Sequence, residues 1–149
     1  MKMYFDMELK PADRPALQTD TGICITYGEL REQIAEFRHA VRRRSFVFLL
    51  CENSQGAVIG YLGCLNVGAV PLLLNADLDE TVLQDMYERY QPEYVWMPKK
   101  KKTVWEPCSF LKKQKIKDET INKKEEKSSE IVFEMAEYVL YATKASKCE

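Results

Sequence analysis

The residues of this chain that could do chemistry are few, and each has a structural competitor. The one histidine is His39. It falls one position off an apolar stripe at helical spacing, which reads as a solvated surface side chain in preference to a base or ligand. Gly56, Gly60 and Gly63 invite a dinucleotide reading. That fingerprint needs G-x-G-x-x-G directly after a strand, and these glycines are spaced G-x-x-x-G-x-x-G inside a helical stretch. Close packing of that helix on its neighbours is the better account. Asp77, Asp79 and Glu80 read as cap and first-turn charges, with a cation site as the competing reading. No Ser, His and Asp set suggests a triad, and one histidine cannot supply a multi-histidine metal centre. The residues alone therefore nominate no catalytic, cofactor-binding or metal-binding side chain.

Cysteines and charge bound the setting. Cys24, Cys51, Cys64, Cys108 and Cys148 are odd in number and contain no C-x-x-C spacing. Most lie in apolar runs, where a thiol behaves as a small hydrophobe. A reduced, cytoplasmic protein without disulfides or zinc is expected. The first residues have no apolar core of the signal-peptide kind. The net charge is −1 over 149 residues, one domain's length. It is divided unevenly. Residues 1–98 hold 9 Lys/Arg and 14 Asp/Glu, and residues 99–149 hold 13 and 9. Eleven lysines lie between Lys99 and Lys127. Acidic residues interrupt them, and only Trp105 and Phe110 could stack on bases, so a solvated surface is expected and nucleic acid is not. Ala57 to Leu74 is apolar enough to suggest a membrane span, which needs about 20 such residues. Asn66-Val67-Gly68 and Pro71 break it into a helix and a strand instead.

The elements that must carry these residues follow a strand–helix rhythm. Ala16–Thr19 and Ile23–Ile25 flank a Gly-containing turn and predict a hairpin. Thr26 with Glu29 three residues on is a capping box. Leu30, Ile34, Phe37 and Val41 then mark one helix face, closed by Arg42, Arg43 and Arg44. Phe46–Cys51 predicts a buried strand, Glu52-Asn53-Ser54 a turn and cap, and 55–67 a helix. Ala69–Leu74 predicts a second strand. Asp77 or Asp79 would cap an amphipathic helix built on Val82, Leu83, Met86, Tyr87 and Tyr90, which Pro92 ends. Tyr94–Met97 is a third strand, and Ile131–Phe133 and Tyr138–Thr143 are two more. Strands apolar on both faces and alternating with helices predict an α/β fold: a partial three-layer α/β/α sandwich with a mainly parallel sheet. The expected divisions are a βαβαβ core at 1–98, a Lys-rich mobile segment at 99–130, and a terminal strand and end at 131–149.

The order of these motifs resembles a known family. Ile25-Thr26-Tyr27-Gly28-Glu29-Leu30 is similar to an L-T-Y-x-E-L signature. Leu65-Asn66-Val67-Gly68-Ala69-Val70-Pro71-Leu72-Leu73-Leu74-Asn75 is similar to L-x-x-G-A-x-x-x-P-L-N. Pro15-Ala16-Leu17 and Asn53-Ser54 fit the same scheme, over residues 11 to about 97. The chain thus resembles the N-terminal part of the acyl-CoA synthetase, adenylation-domain and luciferase superfamily. The resemblance implies ATP-dependent carboxylate activation, with ATP and Mg²⁺ in the complete enzyme. It places the chemistry downstream, in a loop of the form T-S-G-T-T-G-x-P-K-G. Tyr138–Thr143 resembles the strand leading into that loop, but Lys144-Ala145-Ser146-Lys147-Cys148-Glu149 has no glycine. Phosphate cradles favour glycine because backbone N–H groups must approach closely. Either the chain stops before the loop or the loop has degenerated, and this chain alone is expected to be inactive scaffold. Its partner would then be the remainder of a synthetase. Two other readings stay open. One is a non-enzymatic interaction module that pairs through an open sheet edge. The other is a small nucleotide-binding domain, with its ligand near Glu52–Gln55 and Asn75–Asp77.

Overall fold

The computed structural model describes residues 10–107 and 129–147. The elements are β1 (Pro15–Gln18), β2 (Cys24–Thr26), α1 (Tyr27–Ala40), β3 (Phe46–Cys51), α2 (Gln55–Val67), β4 (Val70–Asn75), α3 (Glu80–Tyr90), β5 (Tyr94–Pro98), β6 (Ser129–Glu134) and β7 (Tyr138–Thr143). Strands β1 and β2 form the expected antiparallel hairpin. The other five form one sheet in the order β4-β3-β5-β7-β6.

Period-two alternation in the strands builds two cores. Val47 and Leu49 of β3, Tyr94 and Trp96 of β5, and Tyr138, Leu140 and Ala142 of β7 face one side. There they meet Phe37 and Val41 from α1 and its end, and Cys64 of α2. Phe48, Leu50, Val95, Met97, Val139 and Tyr141 face the other side and meet Leu83 of α3 and Trp105. A third cluster seats the α1–α2 pair through Leu30, Ile34 and Ile59, with Ile25 of the hairpin. Helices thus cover both faces, and the three-layer α/β/α reading holds.

The sheet is mixed where the sequence suggested mainly parallel pairing. β4–β3 and β3–β5 are parallel, while β5–β7 and β7–β6 are antiparallel. Residues 135–137 join β6 to β7 directly, and so short a connection permits only antiparallel pairing. The first helix also ends earlier than Arg42–Arg44. It stops at Ala40, and Val41 is already extended. Val41 is buried. Arg44 then takes a left-handed φ of 65° to turn the chain into β3. Its N–H bonds to the Gly68 carbonyl. Arg38 and His39 are the basic residues of the last turn.

Helix α2 lies close to the sheet because its inner face is glycine. A Cβ on Gly56 would stand 2.2 Å from the Tyr138 ring, one on Gly60 2.4 Å from Trp96, and one on Gly63 2.3 Å from Phe37. The helix ends at Gly68, whose φ of 79° is the left-handed value that favours glycine. Helix α3 begins on Asp79, whose carboxylate accepts from the Thr81 N–H. It ends at Gln91, immediately before Pro92.

Past β5 the chain stays on the fold through Pro107. Lys99–Thr103 is a 3-10 turn. From it Lys101 Nζ donates to the Leu78 carbonyl at 2.9 Å, and Trp105 Nε1 donates to Gln84 Oε1 at 2.8 Å. Residues 108–128, most of the Lys-rich segment, lie outside the described residues. Among the described residues no helix is long and apolar enough to cross a membrane.

Two substitutions test this packing. Glu29 N–H donates to Thr26 Oγ1 at 3.2 Å, and Thr26 N–H to Glu29 Oε2 at 3.1 Å. Thr26→Ala should lower unfolding free energy by about 1 kcal/mol. An unchanged denaturant midpoint would show that the cap does not matter. Gly60→Ala gains about 1 kcal/mol of helix propensity but forces a Cβ into Trp96. Trp96 is held by its own hydrogen bond to Gly56 O at 2.8 Å. Overpacking of about 1–3 kcal/mol should therefore win, and the variant should melt earlier than the parent.

Candidate functional site

Open α/β sheets bind ligands beyond the carboxyl ends of their parallel strands. Here that edge carries a cleft of about 530 Å³. Its lining includes Cys51 at the end of β3 with Glu52 and Asn53 after it, Asn75 at the end of β4 with Asp77 after it, and Lys100 after β5. The cleft exists because β3 and β4 are followed by helices on opposite faces of the sheet, so their exits diverge. It matches the region the sequence offered for a small nucleotide site.

Its electrostatics are set by one close ion pair. Lys100 Nζ stands 2.5 Å from Glu52 Oε1. That hydrogen bond, and then the carboxylate's charge, raise the ammonium above its ordinary pKa. Asp77 is a second carboxylate at the rim. Its N–H is held by Asn75 Oδ1 at 2.9 Å. One ammonium against two carboxylates leaves the cleft without positive charge for a phosphate.

Ser54 occupies the N-cap position of α2, but its hydroxyl does not cap the helix. It lies 3.2 Å from Tyr138 Oη, which also accepts the Glu52 N–H at 3.1 Å. Burial is the main cause that raises the Tyr138 pKa. This tyrosine thus ties the β3–α2 turn to the start of β7. Sequence reasoning missed it, and missed Lys100 as the partner of Glu52. The available signal was a tyrosine at the start of a buried strand, since a buried phenol needs a hydrogen-bond partner.

The other nominated residues fall where a structural role suffices. His39 is exposed on α1. Gly56, Gly60 and Gly63 are close-packing positions. Asp79 caps α3, and Glu80 is in its first turn. Among the described residues no group of three or more His, Cys, Asp or Glu side chains is placed to hold a metal ion. Cys24 is exposed, Cys51 half-buried and Cys64 buried. Burial, and next the nearby Cys51, push the Cys64 thiol up to about 12.

The end of β7 lies away from this cleft. It runs antiparallel to β5, so it ends at the opposite edge of the sheet from the cleft. Thr143 is buried, and its hydroxyl donates to the Pro92 carbonyl at 2.5 Å. The next four residues form a 3-10 turn, Lys144–Lys147. Ser146 Oγ donates back to the Thr143 carbonyl at 2.6 Å, and the Arg42 guanidinium donates to the Ser146 carbonyl. Both hydroxyls are turned onto backbone carbonyls.

A family model described as AMP-binding enzyme matches residues 6–147. A 3-hydroxybenzoate–CoA ligase of Aromatoleum sp. (strain CIB) is 38% identical over 72 residues, covering 45% of this chain and 14% of that protein. A benzoate CoA ligase from Burkholderia xenovorans LB400 superposes with a TM-score of 0.51 at 28% identity, over 56% of this chain and 18% of that one. ATP-bound MatB from Rhodopseudomonas palustris gives a TM-score of 0.53 at 24% identity, over 58% and 18%, a likeness of fold alone. The chain spans less than a fifth of the length of each of these relatives.

The buried thiol gives a pH prediction. Cys64 holds its proton more tightly folded than unfolded, so its stabilising share is complete below its ordinary value of 9.0. It is lost as pH rises toward about 12. Tyr138 is shifted in the same direction. The urea midpoint should therefore fall above about pH 9, and less steeply in Cys64→Ala. Equal slopes in both proteins would contradict the burial of this thiol.

Proposed function

The chain belongs to the AMP-binding enzyme family, and we propose that it forms the N-terminal subdomain scaffold of an ATP-dependent ligase. Such a ligase activates a carboxylate as an acyl-adenylate and releases pyrophosphate. The named functions of the two CoA ligases above support a carboxylate substrate, and aromatic acids are the first class to try.

The turn after β7 carries the scaffold part of this reading. Catalysis of adenylation rests on preorganised amides, cations and a metal around the phosphates. The segment Thr143-Lys144-Ala145-Ser146-Lys147 offers no glycine for close backbone approach, and its hydroxyls are engaged internally. The described residues therefore do not fit ATP and Mg²⁺, and no reaction step is assigned to them. The phosphate-binding groups would come from a further part of a synthetase, whether on the same polypeptide or another.

The cleft at the carboxyl edge favours a second reading, a small nucleotide-binding domain, by position alone. Its charge argues against it. Lys100 is already paired with Glu52, and Asp77 would face an incoming phosphate.

One pair of measurements separates the two. The purified chain should show no benzoate- or 3-hydroxybenzoate-dependent ATP–pyrophosphate exchange, and ATP should not raise its melting temperature. Exchange above background would overturn the scaffold reading. A melting shift with ATP that disappears in Lys100→Ala would establish the nucleotide-binding reading instead.

A further inference from the structure

The two edges of the five-stranded sheet are not equivalent. Strand β6 pairs with β7 through a register shift between Ile131 and Phe133, and it carries Glu130 and Glu134. Bulges and charges of this kind discourage edge pairing. Strand β4 has neither. It pairs with β3 in continuous register from Phe46↔Val70 to Cys51↔Asn75. Val70 N–H bonds to Ser45 O, and Ala76 N–H to Cys51 O. In a parallel ladder alternate residues address the same neighbour, so Pro71 and Leu73 turn their backbone groups outward, as does the Asn75 N–H, while the Asn75 carbonyl accepts from the Leu78 N–H at 3.1 Å. Among the described residues no other strand pairs with this edge.

The edge is also apolar on its flanks. Leu73 is 53% exposed, although its register partner Leu49 is fully buried. Tyr61 and Leu65 are each 38% exposed on α2. At about 100° per residue Tyr61 stands on the flank of that helix away from Ile59, while Leu65 lies on its back, opposite the sheet-facing Gly56 and Gly60. On the opposite face of the sheet Val70 is 55% exposed.

We infer that β4 is a dimerisation edge, and that its occupant is β4 of a second copy of this chain, antiparallel and centred on Leu73. In that register Leu73 exchanges both backbone bonds with its symmetry mate. Pro71, which has no N–H, falls opposite Asn75, whose N–H bonds to the Pro71 carbonyl. The Asn75 carbonyl, which a proline cannot serve, already accepts from the Leu78 N–H, whereas a register with Pro71 opposite Leu73 would leave the Leu73 carbonyl without a donor. The two Leu73 side chains meet on the side of the sheet that carries Tyr61 of both copies, in an isologous contact.

Charge selects the antiparallel sense. The loops at the carboxyl end of β4 carry Asp77, Asp79 and Glu80. The loop beside its amino end carries Arg42, Arg43 and Arg44, and the Arg43 side chain packs where a Gly68 side chain would be. Antiparallel pairing about Leu73 sets Ala69 opposite Asp77 of the second copy. The acidic end of each copy then meets the arginine end of the other, with Arg43 and Asp77 as the natural ion pair. Parallel pairing would put like charges together.

Sedimentation of the full chain over a range of concentrations tests this, with circular dichroism confirming that each variant is folded. The wild type should dimerise, more weakly at high salt. Leu73→Lys should give a monomer, because it places like charges on the two-fold axis. Arg43→Asp and Asp77→Arg should each weaken the dimer roughly tenfold or more. Mixing the two variants should restore it as a heterodimer, since every contact then joins opposite charges. A wild type that stays monomeric overturns the inference. So does a dimer indifferent to Leu73→Lys but lost in Val132→Lys, or single charge reversals that mixing does not rescue. These outcomes are independent of whether the chain supports adenylation.

Discussion

Much of this structure depends on how closely α2 approaches the sheet. Three glycines on one helix face receive three aromatic rings, Tyr138, Trp96 and Phe37, at distances no side chain could share. Trp96 is the hub. It stacks on Phe133 at 5.8 Å, meets the edge of Phe37 at 5.2 Å, and donates its indole N–H to Gly56. That hydrogen bond satisfies a buried donor, which would otherwise carry a cost of about 1–3 kcal/mol. Large rings against bare backbone fill the space that two ordinary side-chain layers would occupy. The helix therefore contributes backbone more than side chains to this core, and its register is set by ring positions on β5, β7 and α1.

This contact fixes features well away from it. Seating Gly56 on the Tyr138 ring brings the tyrosine hydroxyl to the β3–α2 turn, where it takes the Glu52 N–H and the Ser54 hydroxyl. Glu52 is then held at the mouth of the cleft within reach of Lys100. The cleft's charge is thus a consequence of helix packing. Its polar groups satisfy one another, which is the signature of a structural turn and a poor starting point for ligand capture.

Local rules were sufficient to read most elements from the sequence. The Thr26–Glu29 box, the Gly68 stop, the Asp79 cap and the apolar runs of β3 and β5 each carry their own signal within a few residues. The spacing of Gly56, Gly60 and Gly63 could be recognised as packing, but the rings they receive could not be named, because those lie up to 82 residues away in the chain, at Tyr138 for Gly56. The short 135–137 connection made the antiparallel β6–β7 pair legible, but the antiparallel β5–β7 pair was hidden, because apolar runs look alike in parallel and antiparallel strands and those two lie about 40 residues apart. Ser54 shows a local rule overridden. Its position predicts a cap, yet a distant tyrosine claims the hydroxyl. The Lys100–Glu52 pair had no local signature at all, since four consecutive lysines gave no reason to prefer one.

Strand direction also separates the functional readings in space. β7 is antiparallel to β5, so the turn after the strand that resembles the approach to a phosphate loop lies at the amino end of the parallel strands. The cleft lies at their carboxyl end. With six residues to a strand at about 3.3 Å each, the two places are about 20 Å apart, too far for one nucleotide's phosphates to engage both. A ligand found at the cleft would therefore say nothing in favour of the adenylating chemistry of the family. A ligand found beside Arg42 and Ser146 would bear on it directly. The arginines there have a structural explanation of their own: α1 and α2 both end at this edge, where cations suit the negative ends of helices. Positive charge at this end is thus expected from the fold before any ligand is considered. A phosphate there would have to compete with the fold, since the Ser146 hydroxyl is already given to the Thr143 carbonyl and the Arg42 guanidinium to the Ser146 carbonyl.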